Sequence, residues 1–365
     1  MKIKLIDICS PKQWKTIPTD ELLDDGYPVY GANGLIGYSN VYNHKDSVIA
    51  VTCRGASCGS VNITPPFSYV TGNAMCLDEL KHNIDINYLY YFLKNYNFKN
   101  IISGSAQPQI TRQGLNKVYV RCYSPTKQKQ IVSRLKCIST IIELKKIELN
   151  KFDDLIKARF IEMFGDAVDN PMEWKKRKLQ EVVTDDCTIS YGIVQTGNDQ
   201  EDGVPVFRPV DIVNKIPKLT ELKKTTEEIS NKYKRTILKG RELLITVRAN
   251  IADTCIIDEE FKGCNVGRGI VPIRIQEDIM VLEFLKYLLD SKHLNDDIKS
   301  KAKGITLIQL NMEDLREVEL ICPPIEKQMD FVEFAKQVDK SREEVKKSLE
   351  KTQQLYDSLM QEYFG

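Results

Sequence analysis

Residues Gly104–Gly165 and Gly304–Gly365 are two copies of one segment. They align without a gap at an offset of about 200 positions and end on the same Phe-Gly pair, Phe164-Gly165 and Phe364-Gly365. Gln109 meets Gln309, Leu115 meets Leu315, Val118 meets Val318, Cys122 meets Cys322, and Lys127-Gln128 meets Lys327-Gln328. A gapless repeat of this length predicts two copies of one structural unit related by an internal pseudo-twofold axis. Such a frame suits a target that itself has two halves.

Upstream of the matched segments the copies diverge. Gly26-Tyr-Pro-Val-Tyr30 resembles Gly203-Val-Pro-Val-Phe207, Arg54 falls near Arg248 after an apolar run in each half, and Ile86–Leu93 resembles Leu282–Leu289. The offset drifts from about 177 to about 196 across these matches, so loops differ in length. A fixed frame with variable heads predicts one scaffold presenting two specificities.

Each repeat ends in a long helix. Thr126–Phe164 contains no Gly or Pro, and the second such stretch, Ile325–Phe364, follows Pro323-Pro324. A continuous helix of that length extends about 55 Å. Both carry a seven-residue apolar repeat. The first seam runs Ile131, Leu135, Ile138, Ile142, Lys145, Leu149, Phe152, Ile156, Arg159 and Met163. The second runs Phe331, Ala335, Val338, Arg342, Val345, Leu349, Thr352, Tyr356, Leu359 and Tyr363. Lys145 and Arg159 are answered by Val345 and Leu359, and Arg342 and Thr352 by Ile142 and Phe152. Neither seam suits a homodimer, so the two helices are expected to pair with each other, antiparallel, inside one chain. The alternative is two separate amphipathic helices, each packed on its own head. The expected fold is α+β: two mixed α/β heads, residues 1–125 and 167–322, alternating with helices in 126–166 and 323–365 that form an antiparallel coiled coil.

Composition narrows the class. At 365 residues the chain has room for two or three domains. Its opening run, MKIKLIDICS, lacks an apolar stretch of signal length, and no segment approaches the roughly 18 apolar residues of a membrane span. A cytoplasmic protein without membrane association is expected. The ten cysteines include no C-x-x-C pair, and the histidines are His44, His82 and His293. Buried thiols in a reducing compartment fit this better than a zinc site. A net charge of +1 argues against a non-specific polyanion binder and leaves room for local basic patches.

Catalytic patterns are absent from the sequence. There is no Gly-x-x-x-x-Gly-Lys-Ser/Thr phosphate loop. Gly31-Ala-Asn-Gly-Leu-Ile-Gly37 has the wrong spacing for a dinucleotide fingerprint and reads as a turn-rich loop. Thr64-Pro-Pro-Phe67 lacks the Asn of the amino-methyltransferase signature, and no glycine-rich cofactor loop precedes it. No Ser-His-Asp or Cys-His set can be drawn from three scattered histidines. The chain reads as non-catalytic.

The heads do carry planar, hydrogen-bonding side chains. These are Tyr30, Asn33, Tyr38, Arg54, Gln107, Gln109, Thr111 and Arg112 in the first, and Tyr191, Gln195, Arg208, Arg248, Asn250, Arg268, Lys303 and Gln309 in the second. Arg with guanine and Asn or Gln with adenine are the pairings that read base edges, while surrounding Lys and Arg hold phosphates. Gln109 and Gln309, present in both copies, also suit a structural role.

The arrangement resembles the specificity subunit of Type I restriction–modification enzymes. The local runs that carry the resemblance are Pro28-Val-Tyr-Gly-Ala-Asn-Gly-Leu-Ile-Gly37, Gly104-Ser-Ala-Gln-Pro-Gln-Ile110, Ser124-Pro-Thr-Lys-Gln-Lys-Gln-Ile-Val132, Lys151–Phe160 and Cys322-Pro-Pro-Ile-Glu-Lys-Gln328. It covers essentially the whole chain. It implies that each head is a target recognition domain reading one half of a split, asymmetric sequence in double-stranded DNA, and that the helices set the spacer. It also implies docking of two methyltransferase subunits, which recruit restriction subunits. S-adenosylmethionine, ATP and magnesium would then belong to those partners, with no cofactor in this chain. The balanced charge departs from a strong independent DNA binder, so tight binding is expected only with the methyltransferase present. A two-headed protein-interaction scaffold without DNA specificity is the competing reading.

Overall fold

Two strands are buried along their whole length, and each head is built around one of them. In the computed structural model, which describes residues 2–32, 34–81, 83–104, 107–212, 217–304 and 308–365, Ile49–Thr52 (IAVT) and Leu243–Thr246 (LLIT) are buried at every position. Continuous apolar, largely β-branched runs of this kind suit strands covered on both faces. The chain forms two compact units, Met1–Glu148 with Val345–Gly365, and Leu149–Glu344.

In the first unit an antiparallel sheet runs Ser10–Gln13, Ala74–Asp78, Ile49–Thr52, Val61–Ile63. A second sheet places Tyr27–Gly31 between Gly34–Ser39, antiparallel, and Tyr69–Val70, parallel. In the second unit Leu243–Thr246 lies between Thr254–Ile256 and Ile270–Ile273. There Val204–Phe207 lies between Lys223–Thr225, antiparallel, and Asn265–Val266, parallel. Each unit is closed by a short pair, Lys2–Lys4 with Tyr119–Arg121 in one and Lys176–Lys178 with Glu319–Ile321 in the other. Each also packs an amphipathic helix against its sheets, Ile86–Asn95 or Leu282–Asp290. The duplication therefore extends through the heads.

One expectation needs correction. Gly31–Gly37 is not all loop, because Gly34–Ser39 is a strand paired with Tyr27–Gly31. Its glycines hid the strand pattern. Gly37, at φ 152°, packs its backbone on Leu22, where a Cβ would lie 3.1 Å from that side chain's Cβ.

The long helices span Pro125–Phe164 and Ile325–Phe364. Proline is tolerated at the first helical position because its missing N–H would have no partner there. Gly165 ends the first helix at φ 73°, the left-handed turn that glycine adopts without cost. A Cβ there would also meet Pro171 Cγ at 2.6 Å. The division into units falls inside both helices. In the first unit Ile131 and Leu135 share a core with Met360, Tyr363 and the head residues Leu89 and Phe92. In the second, Phe160 lies 5.4 Å from Phe331 between ring centroids, and Arg342 Nη2 donates to Asp153 Oδ1 at 2.5 Å. Those paired positions ascend along one helix as they descend along the other, so the segments run antiparallel. All seam residues are buried or half-buried, the polar Lys145, Arg159, Arg342 and Thr352 included. Leu144, Ile147 and Leu155, off the seam, are 59%, 51% and 46% exposed. Helix pairing and packing on a head are not alternatives here, since each unit merges both into one core.

A repeated glutamine ties each head to its helix. Gln128 Oε1 accepts from Asp85 N at 2.9 Å, and its Nε2 donates to Asn83 O at 3.1 Å and Tyr123 O at 2.9 Å. Gln328 Oε1 accepts from Val281 N at 2.9 Å, and its Nε2 donates to Ile279 O at 3.1 Å and Pro323 O at 2.8 Å. Both side chains are fully buried.

A second anchor lies in the second unit. Glu242 is fully buried, and its carboxylate accepts from Arg274 Nη1 at 2.5 Å and Lys239 N at 2.7 Å. Burial pushes the Glu242 pKa above its ordinary value, against the pull of Arg274. Replacing Arg274 by methionine strands that carboxylate. It is expected to destabilise the second unit by about 3–5 kcal/mol, read as a lower urea midpoint. The raised carboxyl pKa makes the loss larger above it, where Glu242 is charged, than below it. A loss under about 1 kcal/mol at neutral pH would contradict the assignment.

Candidate nucleic-acid interface

Each head gathers its polar loops at one corner, and hydrogen bonds define that corner the same way twice. In the first head Thr71 N donates to Tyr30 O and Cys53 N to Asn73 O, at 2.9 and 3.0 Å. In the second, Gly267 N donates to Phe207 O and Val247 N to Gly269 O, both at 2.8 Å. The next residue in each case, Arg54 or Arg248, forms a β-bridge to Gln109 or Gln309. The geometry thus equates Tyr30 with Phe207, Arg54 with Arg248, the Gly72 turn with the Arg268 turn, and Gln109 with Gln309. A strand end, a tight turn and the segment before the exit strand converge there.

The side chains on this shared corner differ. In the second head Arg248 donates to Gln309 Oε1, and Gln309 Nε2 donates to Tyr191 Oη. Arg248 Nε is buried without a partner among the described residues, a donor waiting for an acceptor. Arg208 is held by Asp211 through two parallel N–H···O bonds of 3.0 and 2.8 Å, which raises the guanidinium pKa further. Lys303 Nζ lies 3.2 Å from Asp314 Oδ2. Arg268 is exposed, and its guanidinium has no hydrogen bond or ion pair among the described residues. In the first head Arg54 is exposed and likewise unpaired among the described residues. The loop carrying Ala32 is pinned there by Thr52 Oγ1, which donates to Ala32 O at 2.6 Å.

The remaining candidates fall around or away from this corner. Gln107 and Arg112 are exposed on either side of Gln109, and Thr111 caps the short helix Arg112–Leu115 through Gly114 N. Gln195 is exposed two residues beyond Ile193, which bridges to Gly267. Asn250 is exposed in the turn after Arg248. Tyr38 pairs with Leu23 and Pro28, at the end of its hairpin opposite Ala32. Asn33 lies outside the described residues. Sequence reasoning missed the equivalence of Gly72 and Arg268, because the offset between copies shifts within each head.

Two groups among the described residues bring three potential ligands together, His44 with Cys76 and Asp78, and Asp166 with Asp169 and His293. Both His44 nitrogens are engaged, Nδ1 2.6 Å from Asn43 Oδ1 and Nε2 3.0 Å from Asp78 Oδ1. Burial holds the Cys76 thiol far above the ordinary range. Burial also pushes Cys9 and Cys255 up to about 12, and Cys264 and Cys322 to about 11. Thiols in that range stay protonated and unreactive at neutral pH. No helix among the described residues is long and apolar enough to cross a membrane.

Comparison with known proteins locates this architecture. The family model described as "Type I restriction modification DNA specificity domain" matches residues 1–152 and 171–354. The Type I restriction enzyme EcoBI specificity subunit of Escherichia coli is 26% identical over 224 residues, which is 60% of this chain and 44% of that one. The alignment thus spans less than half of that relative. The Type-I restriction-modification system S subunit from M. genitalium has the same fold, with a TM-score of 0.58 at 14% identity over 100% of this chain and 96% of the other. A chain solved in work on complex assembly and conformational transition of the type I R-M system gives a TM-score of 0.64 at 16% identity, covering 100% and 97%.

Proposed function

We propose that this chain, which belongs to the family of the Type I restriction modification DNA specificity domain, is the sequence-reading, non-catalytic subunit of a Type I restriction–modification complex. Each head reads one half of a bipartite, asymmetric site in double-stranded DNA. The observation that carries this reading is the corner built twice with the same backbone bonds and the same Arg–Gln bridge, but with different side chains around them. Shared bonds fix a platform, and differing side chains suit two different half-sites. The long helices set the distance between half-sites and dock two methyltransferase subunits. Support for docking comes from Leu144, Ile147 and Leu155, apolar residues that neither seam nor head covers. S-adenosylmethionine, ATP and magnesium are used by the methyltransferase and restriction subunits, with no cofactor in this chain. The division into heads 1–125 and 167–322 and spacer segments 126–166 and 323–365 belongs to the same proposal.

Head exchange tests it. Replacing residues 172–322 by the second head of another specificity subunit, in complex with the methyltransferase, is expected to change one half of the methylated motif and leave the other half intact. A motif altered in both halves, or in neither, would refute the assignment of one half-site to each head.

A further inference from the structure

We propose that Arg268 reads a guanine in the half-site of the second head, and that no side chain does so at the equivalent place in the first. This inference rests on the DNA-reading function proposed above.

Arg268 sits on a stiff mount. Its own N–H donates to Ile193 O at 2.8 Å, Gly267 N to Phe207 O at 2.8 Å, and Ile270 N to Gly267 O at 3.0 Å. Both flanking glycines are buried, and a Cβ on Gly269 would lie 2.5 Å from Pro209 Cγ. Three backbone hydrogen bonds hold this turn, and the exposed Arg268 side chain stands on it at the polar corner. Of its neighbours, Arg208 is clamped by Asp211, and Arg248, among the described residues, donates to Gln309 through Nη2 alone. Arg268 therefore offers an unpaired planar fork on a preorganised support, and that fork matches the O6 and N7 acceptors of guanine.

Comparison of the heads favours a base over a phosphate. Both heads would meet the same phosphate backbone, so sequence-independent contacts belong at positions the copies share. The arginine and glutamine of the bridge are shared, Arg54 with Gln109 and Arg248 with Gln309. Position 268 is not. The first head has Gly72 there, and a Cβ on it would lie 2.7 Å from Trp14 O. That head excludes a side chain where the second presents an arginine. A position that differs between copies reading different sequences is where readout belongs.

The test is the methylation pattern produced by the complex of this chain with its methyltransferase subunits, for wild type, Arg268→Ala and Arg268→Lys. Arg268→Ala is expected to keep the first half-site and the spacer and to lose discrimination at one guanine of the second half-site by about 10- to 100-fold. Arg268→Lys is expected to behave like the alanine variant, since lysine keeps the charge but loses the fork. A full motif with evenly reduced methylation in Arg268→Ala, restored by Arg268→Lys, would identify a phosphate contact and overturn the proposal. So would a wild-type second half-site without guanine. A wild-type complex that produces no bipartite motif would instead bring down the underlying DNA-reading function, before any variant is compared.

Discussion

Replacing Gln328 by alanine is expected to destabilise the second unit by about 3–5 kcal/mol. The side chain is fully buried and satisfies three backbone groups, Val281 N–H and the carbonyls of Ile279 and Pro323. Each group left unpaired in the interior costs about 1–3 kcal/mol, and the truncation also leaves a cavity. Val281 is the residue before the helix Leu282–Asp290, so the loss frees the start of that helix from the long helix beside it. Hydrogen exchange at the Val281 amide is expected to quicken in Gln328→Ala, while exchange at Asp85 in the first unit stays as in wild type. Gln128→Ala is expected to do the converse, because Asp85 N is bonded to Gln128. A loss below about 1 kcal/mol, or faster exchange in the other unit alone, would show that the glutamine is not the clamp.

Deleting Leu144–Ile147 from the first long helix is expected to abolish methylation of the original motif. The excised residues lie inside the continuous helix Pro125–Phe164. Removing four residues shortens a helix by about 6 Å and turns everything beyond by about 40°. Successive base pairs are about 3.4 Å apart, so the half-site gap is expected to shrink by roughly two base pairs wherever the complex still assembles. Loss of assembly is the other result consistent with the spacer role, because the deletion shifts every later seam residue out of register. Full methylation of the original motif, with its original gap, would refute the helix as spacer.

Some of this structure was legible in the residues and some was not, for identifiable reasons. The long helices could be read to within a residue. Past their first residues they contain no Gly or Pro, they begin at or beside prolines, and the first stops at Gly165, all features that local rules govern. Their mutual orientation followed from the repeat, since an axis relating the copies makes paired helices antiparallel, but the contacts did not: Arg342, matched in the sequence with Ile142, bonds Asp153 at 2.5 Å. Gln128 and Gln328 were visible as a repeated pair, but a glutamine early in a heptad reads as solvated surface. Its burial depends on where the head folds back, which no periodicity encodes. The corner of each head was legible only in part, with Tyr30 and Phe207, Arg54 and Arg248, and Gln109 and Gln309 matched in the sequence and the Gly72–Arg268 turn not. Tyr30 and Phe207, Arg54 and Arg248, and Gly72 and Arg268 each match at a different offset, since loops of unequal length intervene. Backbone bonds such as Thr71 N to Tyr30 O and Gly267 N to Phe207 O add the match of Gly72 with Arg268. Arg208, read as a base-reading candidate from its residue type alone, acquired a partner three residues on, Asp211, that a list of planar side chains cannot anticipate.

The central claim is that one chain reads two different half-sites at a set distance. Its most direct test is to sequence the methylation of DNA from cells that express this chain together with its methyltransferase partner. The predicted result is a single modified motif made of two unlike halves separated by a gap of constant length. A palindromic motif, a continuous one, or no sequence preference from an active methyltransferase would contradict it.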